Sequence, residues 1–259
     1  MSTILFPSPV YGPVKSRRLG ISLGINLMPS NGKLCTFDCI YCECGFNSDG
    51  HTTDRRPTRE EVKSRLEQQL QLMVSEKQLP NVITFAGNGE PTAHPDFAEI
   101  INDTIQLRNS YCPEAKIAVL SNATQLHRPD VVEALRKVED NILKLDTVNL
   151  DFIRLVDRPV RKDYRPEHIV EQMKQFHGHL MIQTIFFQGT FNNSTIDNTT
   201  QQYVLPWLEA IKEIQPEAVM IYTIDRETPA RELKKATPQQ LDNIAKQVKT
   251  AGFSCSVSY

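Results

Sequence analysis

A chain of 259 residues, 40% of them apolar, is long enough for one α/β barrel-like domain or two small domains and can fill an ordinary core. Its net charge of −2 excludes a global basic field of the kind that gathers nucleic acid or an anionic membrane. No run of eighteen apolar residues and no basic-then-apolar leader occurs, which argues against a membrane span or a secretory signal and places the expected location in the cytoplasm.

In chain order, Leu19, Ile21, Leu23, Ile25 and Leu27 alternate with small or polar residues, the period of a strand. Lys15, Arg17 and Arg18 precede it as a basic turn. Residues 34–46 form a loop carrying Cys35, Cys39 and Cys42 at C-x3-C-x2-C spacing. Thr58 and Glu61 make a capping-box pattern, and Val62, Leu66, Leu70 and Met73 follow at helical spacing, predicting a helix over 60–77. Val82 to Ala86 reads as a buried strand that runs into Gly87-Asn88-Gly89-Glu90-Pro91. A helix over 96–108 turns Phe97, Ile100, Ile101 and Ile105 inward.

The alternation continues with a strand from Lys116 to Leu120, ending in Ser121-Asn122, and a helix that starts near Pro129. Ile142 to Leu145 is a strand ending in Asp146. A long loop follows, with Asp157-Arg158-Pro159 and Arg161 to Arg165. A helix over 167–176 precedes a strand from Leu180 to Phe187, rich in β-branched and aromatic residues. Gly189 to Asn198 reads as a polar loop. The next helix, 199–214, contains Pro206, expected to kink it or mark its start. Ala218 to Ile224 is the sixth strand. Thr237, Pro238 and Gln240 cap a last helix closing at Gly252, and Cys255 to Tyr259 reads as a short terminal strand. Six strands alternating with helices demand a parallel sheet with right-handed crossovers. Six units are too few for an eight-stranded barrel. The expected fold is α/β, a partial (β/α)6 TIM-like barrel of parallel strands, as a single domain over residues 1–259.

The special polar residues fall at strand carboxyl ends, the rim where parallel α/β barrels build active sites. Three thiolates on one loop suit a metal centre. On a four-iron cube three ligands leave one iron open, whereas a zinc site would need a fourth, here Cys44, in an unusual C-x-C arrangement. Gly87 to Glu90 read alone is equally a tight turn, and Asp146 a helix cap. His94, His127, His177 and His179 read as surface or loop histidines. Arg55-Arg56, Arg158 and Arg161-Lys162 have acids nearby and read as a solvated face.

The cysteine loop resembles the cluster loop of the radical S-adenosylmethionine (radical SAM) superfamily, C-x3-C-x-aromatic-C, with Tyr41 in the aromatic slot. The resemblance implies a [4Fe–4S] cluster on Cys35, Cys39 and Cys42 whose open iron is chelated by S-adenosylmethionine. It also implies reductive cleavage to a 5′-deoxyadenosyl radical that abstracts hydrogen from a substrate. Gly87, Asn88, Gly89 and Glu90 resemble the motif that holds the SAM ammonium group, with Asn88 departing from its usual Gly-Gly-Glu-Pro form. Ser121 and Asn122 resemble the pair that meets the ribose. Tyr222 and Thr223 resemble the stretch whose backbone supports adenine, Tyr41 contributing likewise. Asp146 would lie near the methionine carboxylate or the substrate, and Gln183 would point into the barrel.

Ser16 to Leu27 together with Tyr222 to Arg226 resemble the branch grouped with wyosine-tRNA synthase. No cysteine lies upstream of Cys35 for the second cluster of the archaeal enzymes, and no flavodoxin domain is present, so the substrate stays open; tRNA is one candidate that the charge does not support. The resemblance implies a separate flavodoxin or ferredoxin as electron donor. The alternatives are an activase for a glycyl-radical enzyme and a non-enzymatic Fe–S or zinc module.

Overall fold

The computed structural model describes residues 4–16, 20–47, 52 and 54–259. Arg17, Arg18 and Leu19, and the side chain of Lys15, lie outside the described residues. The chain opens with β1 (Val10–Ser16) and β2 (Gly20–Ile25), passes through the cysteine loop, and continues with α1 (Arg59–Ser75), β3 (Val82–Phe85), α2 (Phe97–Tyr111), β4 (Lys116–Ser121) and α3 (Pro129–Leu135). There follow β5 (Asp140–Lys144), α4 (Leu150–Val156), α5 (Pro166–Lys174), β6 (Met181–Ile185), β7 (Phe187–Phe191) and β8 (Ser194–Asp197). Then come α6 (Gln201–Ile214), β9 (Ala218–Tyr222), β10 (Leu233–Lys235), α7 (Pro238–Thr250) and β11 (Ser254–Ser258).

Eight strands form one sheet in the order β1-β2-β3-β4-β5-β6-β9-β11. Every pairing in it is parallel except β1 with β2. The sheet does not close, so β1 and β11 are its edges. The expected partial α/β barrel is therefore present, with the terminal strand β11 added in parallel beside β9. Parallel order follows from the helical crossovers, which cover the sheet and let β3 bury all four of its residues. Thr58 and Glu61 form the expected capping box on α1, and Thr237 and Gln240 form one on α7. Leu66, Leu70, Ile83, Phe85 and Ile117 are wholly buried between helices and sheet. Each such side chain contributes roughly 2 kcal/mol by leaving water.

Five expectations need correction. The long stretch after Asp146 contains α4, whose N-cap Asn149 accepts from Phe152 N at 2.9 Å. The polar loop from Gly189 to Asn198 is a hairpin, and with β10 it forms a separate antiparallel sheet in the order β10-β7-β8. The strand expected over Leu180 to Phe187 breaks at Phe186. Asn198 explains the break: its side chain donates to Ile185 O at 2.8 Å and accepts from Phe187 N at 2.9 Å, satisfying the backbone as it leaves the sheet. Pro206 lies inside α6, which starts at Gln201 after Thr200. His94 is not a surface residue: it is 2% exposed, its ring nitrogens engaged with Pro57 O and Asp96 N. Among the described residues no helix is long and apolar enough to cross a membrane.

The parallel order brings the ends of β2 to β6 and β9 to one rim, where the cysteine loop lies. Trp207, the only tryptophan, is 1% exposed and donates from Nε1 to Leu145 O at 2.9 Å, anchoring α6 to the end of β5.

Candidate metal and cofactor site

The cysteine loop is held by main-chain bonds to distant segments. Leu34 N donates to Asn88 O at 2.8 Å, Ile40 N to Val156 O at 2.9 Å, Val160 N to Thr36 O at 2.9 Å and Ala230 N to Ile40 O at 3.1 Å. Asn47 closes the loop on itself. Its side chain accepts from Cys35 N at 3.2 Å and donates to Cys35 O and Phe37 O, both at 3.1 Å. Arg158, expected in a solvated face, turns toward this loop instead, 3.1 Å from Asp38 and 4.9 Å from the centre of the Phe46 ring.

All six cysteines are free thiols. Lys33, 3% exposed, donates to Gly45 O at 3.0 Å and lies 3.7 Å from Asp38. Burial works against its charge, but Cys42, Cys39, Cys35 and Asp38 together outweigh burial and hold it protonated more firmly than an ordinary lysine. A single buried ammonium thus serves all three motif thiols. A hydrogen bond with Cys44, helped by Lys33, holds the Cys42 thiol below its ordinary value against the effect of burial. Burial pushes Cys35 up to about 12 and raises Cys39. The Asn122 amide points at Cys35 Sγ from 3.6 Å.

This donor set fits an iron–sulfur cluster: three soft thiols, an adjacent cation that favours the thiolate form, and an amide directed at sulfur. Among the described residues no three His, Cys, Asp or Glu side chains converge as a single-ion site. A four-iron cube makes no such demand, because each thiolate ligates a different iron.

The predicted cofactor residues divide into two sets. Tyr41, Cys42, Gln183, Tyr222 and Thr223 line one cavity of about 540 Å³ that opens at the rim. The remaining positions are absent from its wall. Glu90, 2% exposed, accepts from Thr92 N at 3.0 Å, Ser121 Oγ at 2.8 Å and Asn122 N at 2.7 Å. Burial raises its carboxyl even so. Ser121 and Asn122 are thus brought to Glu90, and the Asn122 side chain also donates to Thr36 Oγ1 at 2.8 Å. Asn88, wholly buried, accepts from Phe6 N at 2.8 Å and donates to Phe6 O at 2.9 Å and Pro29 O at 2.8 Å. It fastens the N-terminal segment.

Gly89 has φ +151°, and a Cβ there would lie 1.8 Å from Leu34 O. The close approach that this glycine permits is to the backbone just before Cys35. At Gly87 a Cβ would instead meet the Asn26 side chain, at 2.6 Å. Asp146 faces Lys144 and Tyr41 and accepts from Ile185 N at 3.2 Å. It takes part in a buried ion network.

Phe6 and Tyr11 also line the 540 Å³ cavity, with ring centres 4.6 Å apart, and escaped the sequence reading; Cys44, weighed there only as a fourth zinc ligand, lines it too and donates to Gly87 O at 3.4 Å. For Tyr11 the signal was Gly24, across whose face the phenol ring lies, leaving no room for a Cβ. A second cavity, about 250 Å³, is lined in part by Thr36 and contains none of the predicted cofactor residues.

A family model described as the Radical SAM superfamily matches residues 32–202. A UPF0026 protein of Helicobacter pylori is 30% identical over 223 residues, covering 85% of this chain and 67% of that protein. A Brachyspira hyodysenteriae protein named GTPase Obg is 25% identical over 251 residues, 96% of this chain. The chain spans only 34% of that relative's length.

Streptococcus suis SuiB bound to S-adenosylmethionine matches with a TM-score of 0.64 at 14% identity, over 90% of this chain and 50% of that one. TYW1 with a lysine-pyruvate adduct bound matches with a TM-score of 0.62 at 16% identity, over 88% of this chain and 73% of that one. Both structures share the fold.

Proposed function

The chain belongs to the radical SAM superfamily, and from that premise we propose that it is an enzyme that cleaves S-adenosylmethionine reductively to start radical chemistry on a substrate still to be identified. Membership implies a [4Fe–4S] cluster and S-adenosylmethionine as cofactors. When bound, they supply one-electron cleavage to a 5′-deoxyadenosyl radical, which takes a hydrogen atom from the substrate.

The observation that carries this reading is that Cys42, one of the three motif thiols, forms part of the wall of the 540 Å³ cavity. Cys35, Cys39 and Cys42 would hold the cluster. Tyr41, Gln183, Tyr222 and Thr223 would hold S-adenosylmethionine in that cavity. Gly87 to Glu90, Ser121, Asn122 and Asp146 would brace the loop and rim from behind. The chain's own work is to fix the thiols, shape the cavity and keep water out. An external flavodoxin or ferredoxin would deliver the electron.

The test is anaerobic reconstitution with iron and sulfide, followed by addition of dithionite and S-adenosylmethionine. The expected product is 5′-deoxyadenosine, and Cys39→Ala should lose both the bound iron and that product. Wild-type protein that loads four irons and yet releases no 5′-deoxyadenosine would overturn the proposal.

A further inference from the structure

Lys144 ends β5 inside a knot of charge drawn from separate parts of the chain. Its Nζ lies 2.6 Å from Asp146 Oδ2 and 2.7 Å from Asp157 Oδ1, and these carboxylates are 1% and 2% exposed. Asp157 comes from the C-terminal cap of α4. The Tyr41 hydroxyl donates to both carboxylates. The ammonium also lies 5.1 Å from the centre of the Phe37 ring and 5.6 Å from that of Tyr41. Phe37 and Tyr41 stand two residues before and two after Cys39. Lys144 therefore packs against both flanks of the segment that carries the central motif cysteine.

Neither Lys144 nor the two aspartates line the 540 Å³ cavity, so contact with a molecule bound there does not account for them. Burying an ammonium and two carboxylates costs several kcal/mol per ion before pairing, and pairing recovers that only with good geometry. The triad has that geometry, yet its formal charge is −1, so it does not simply cancel. The Lys144 charge is held against the two rings that flank Cys39 in the chain.

We propose that Lys144, braced by Asp146, Asp157 and Tyr41, is a positioning residue that sets the reduction potential of the cluster through Cys39. This rests on the cluster reading given above. Reduction adds one negative charge to the cluster. A cation held against the segment that carries a cluster ligand stabilises that charge, and a carboxylate opposes it.

The test compares wild-type protein with Lys144→Met, Lys144→Arg and Asp157→Asn, all reconstituted anaerobically and followed by electron paramagnetic resonance at fixed potentials and pH 8. In Lys144→Met the ratio of reduced to oxidised cluster at a given potential should fall about tenfold, a shift of about 60 mV for one electron. Asp157→Asn should move it the opposite way, and Lys144→Arg should stay near wild type. Loss of the cluster from Lys144→Met with retention in Lys144→Arg would also support the charge role. Equal potentials in all four proteins, shifts of one sign in Lys144→Met and Asp157→Asn, or cluster loss from both lysine variants would overturn it. Absence of bound iron and sulfide from the wild type would instead overturn the cluster reading itself, and that assay precedes any comparison of variants.

Discussion

Substituting Gly89 by alanine tests how the glycine turn and the cysteine loop hold each other. Gly89 has φ +151°, and its missing Cβ would lie 1.8 Å from Leu34 O and 2.5 Å from Leu34 C, both backbone atoms. The same contact is fixed by the Leu34 N to Asn88 O bond at 2.8 Å and by the parallel bridge between Leu34 and Gly89. No rotamer change relieves a clash with backbone, so the loop must retreat by roughly 1.5 Å to reach ordinary contact. Backbone strain of about 1–2 kcal/mol, overpacking of about 1–3 kcal/mol and one weakened buried hydrogen bond give an expected loss of about 3–5 kcal/mol. Gly252→Ala is the control: Gly252 also has positive φ, +96°, but a Cβ there meets nothing within 4 Å. It should cost only about 1 kcal/mol, from strain alone. Urea denaturation of both variants under anaerobic conditions measures the difference, and iron loading of Gly89→Ala should fall because Cys35 follows Leu34. Equal drops in midpoint, with full iron loading of Gly89→Ala, would refute the reasoning.

Two other outcomes follow from single contacts. Asn88→Ala removes the partners of Phe6 N, Phe6 O and Pro29 O. It should cost about 3 kcal/mol and expose the N-terminal segment to protease, as read by urea midpoint and limited proteolysis; an unchanged cleavage pattern would count against the fastening role. Asp103, 4% exposed, accepts from Arg59 Nε at 2.6 Å and Nη2 at 2.9 Å across α1 and α2, and the Arg59 hydrogen bond holds its carboxyl below the usual range despite burial. A depressed folded value means that the stabilisation is fully present above the unfolded value of about 4 and is lost as pH falls through the folded one. Urea midpoints measured downward from pH 6 should therefore drop below pH 4 in the wild type, and less steeply in Asp103→Asn. Parallel curves would exclude this pair as the cause.

Much of the fold was legible because its signals are local. Helical spacing in α1, α2 and α7, with Thr58 and Thr237 as caps, depends on neighbours three and four residues apart. The hairpin of β7 and β8 was also encoded locally: Asn192 and Asn193 have φ +50° and +61°, the left-handed pair of a two-residue hairpin turn, lying between short strands. Its polar composition concealed it. Helix α4 was concealed by its seven-residue length, although Asn149 and the spacing of Phe152 and Val156 mark it. β1 was concealed by Pro9 and Pro13, residues that strands tolerate only at edges, where β1 lies.

The sequence by itself determined the alternation of strands and helices and the spacing of three thiols on one loop, since both are written in short-range pattern. Only the tertiary structure decided what the polar residues around that loop face. Glu90, Ser121 and Asn122 turn to one another, Asn88 grips Phe6, and Lys144 joins Asp146 to Asp157, whereas Tyr41, Gln183, Tyr222 and Thr223 open onto the cavity. The physical reason is that a buried polar atom must find a partner, and which partner lies within reach depends on how segments up to a hundred residues apart are packed together.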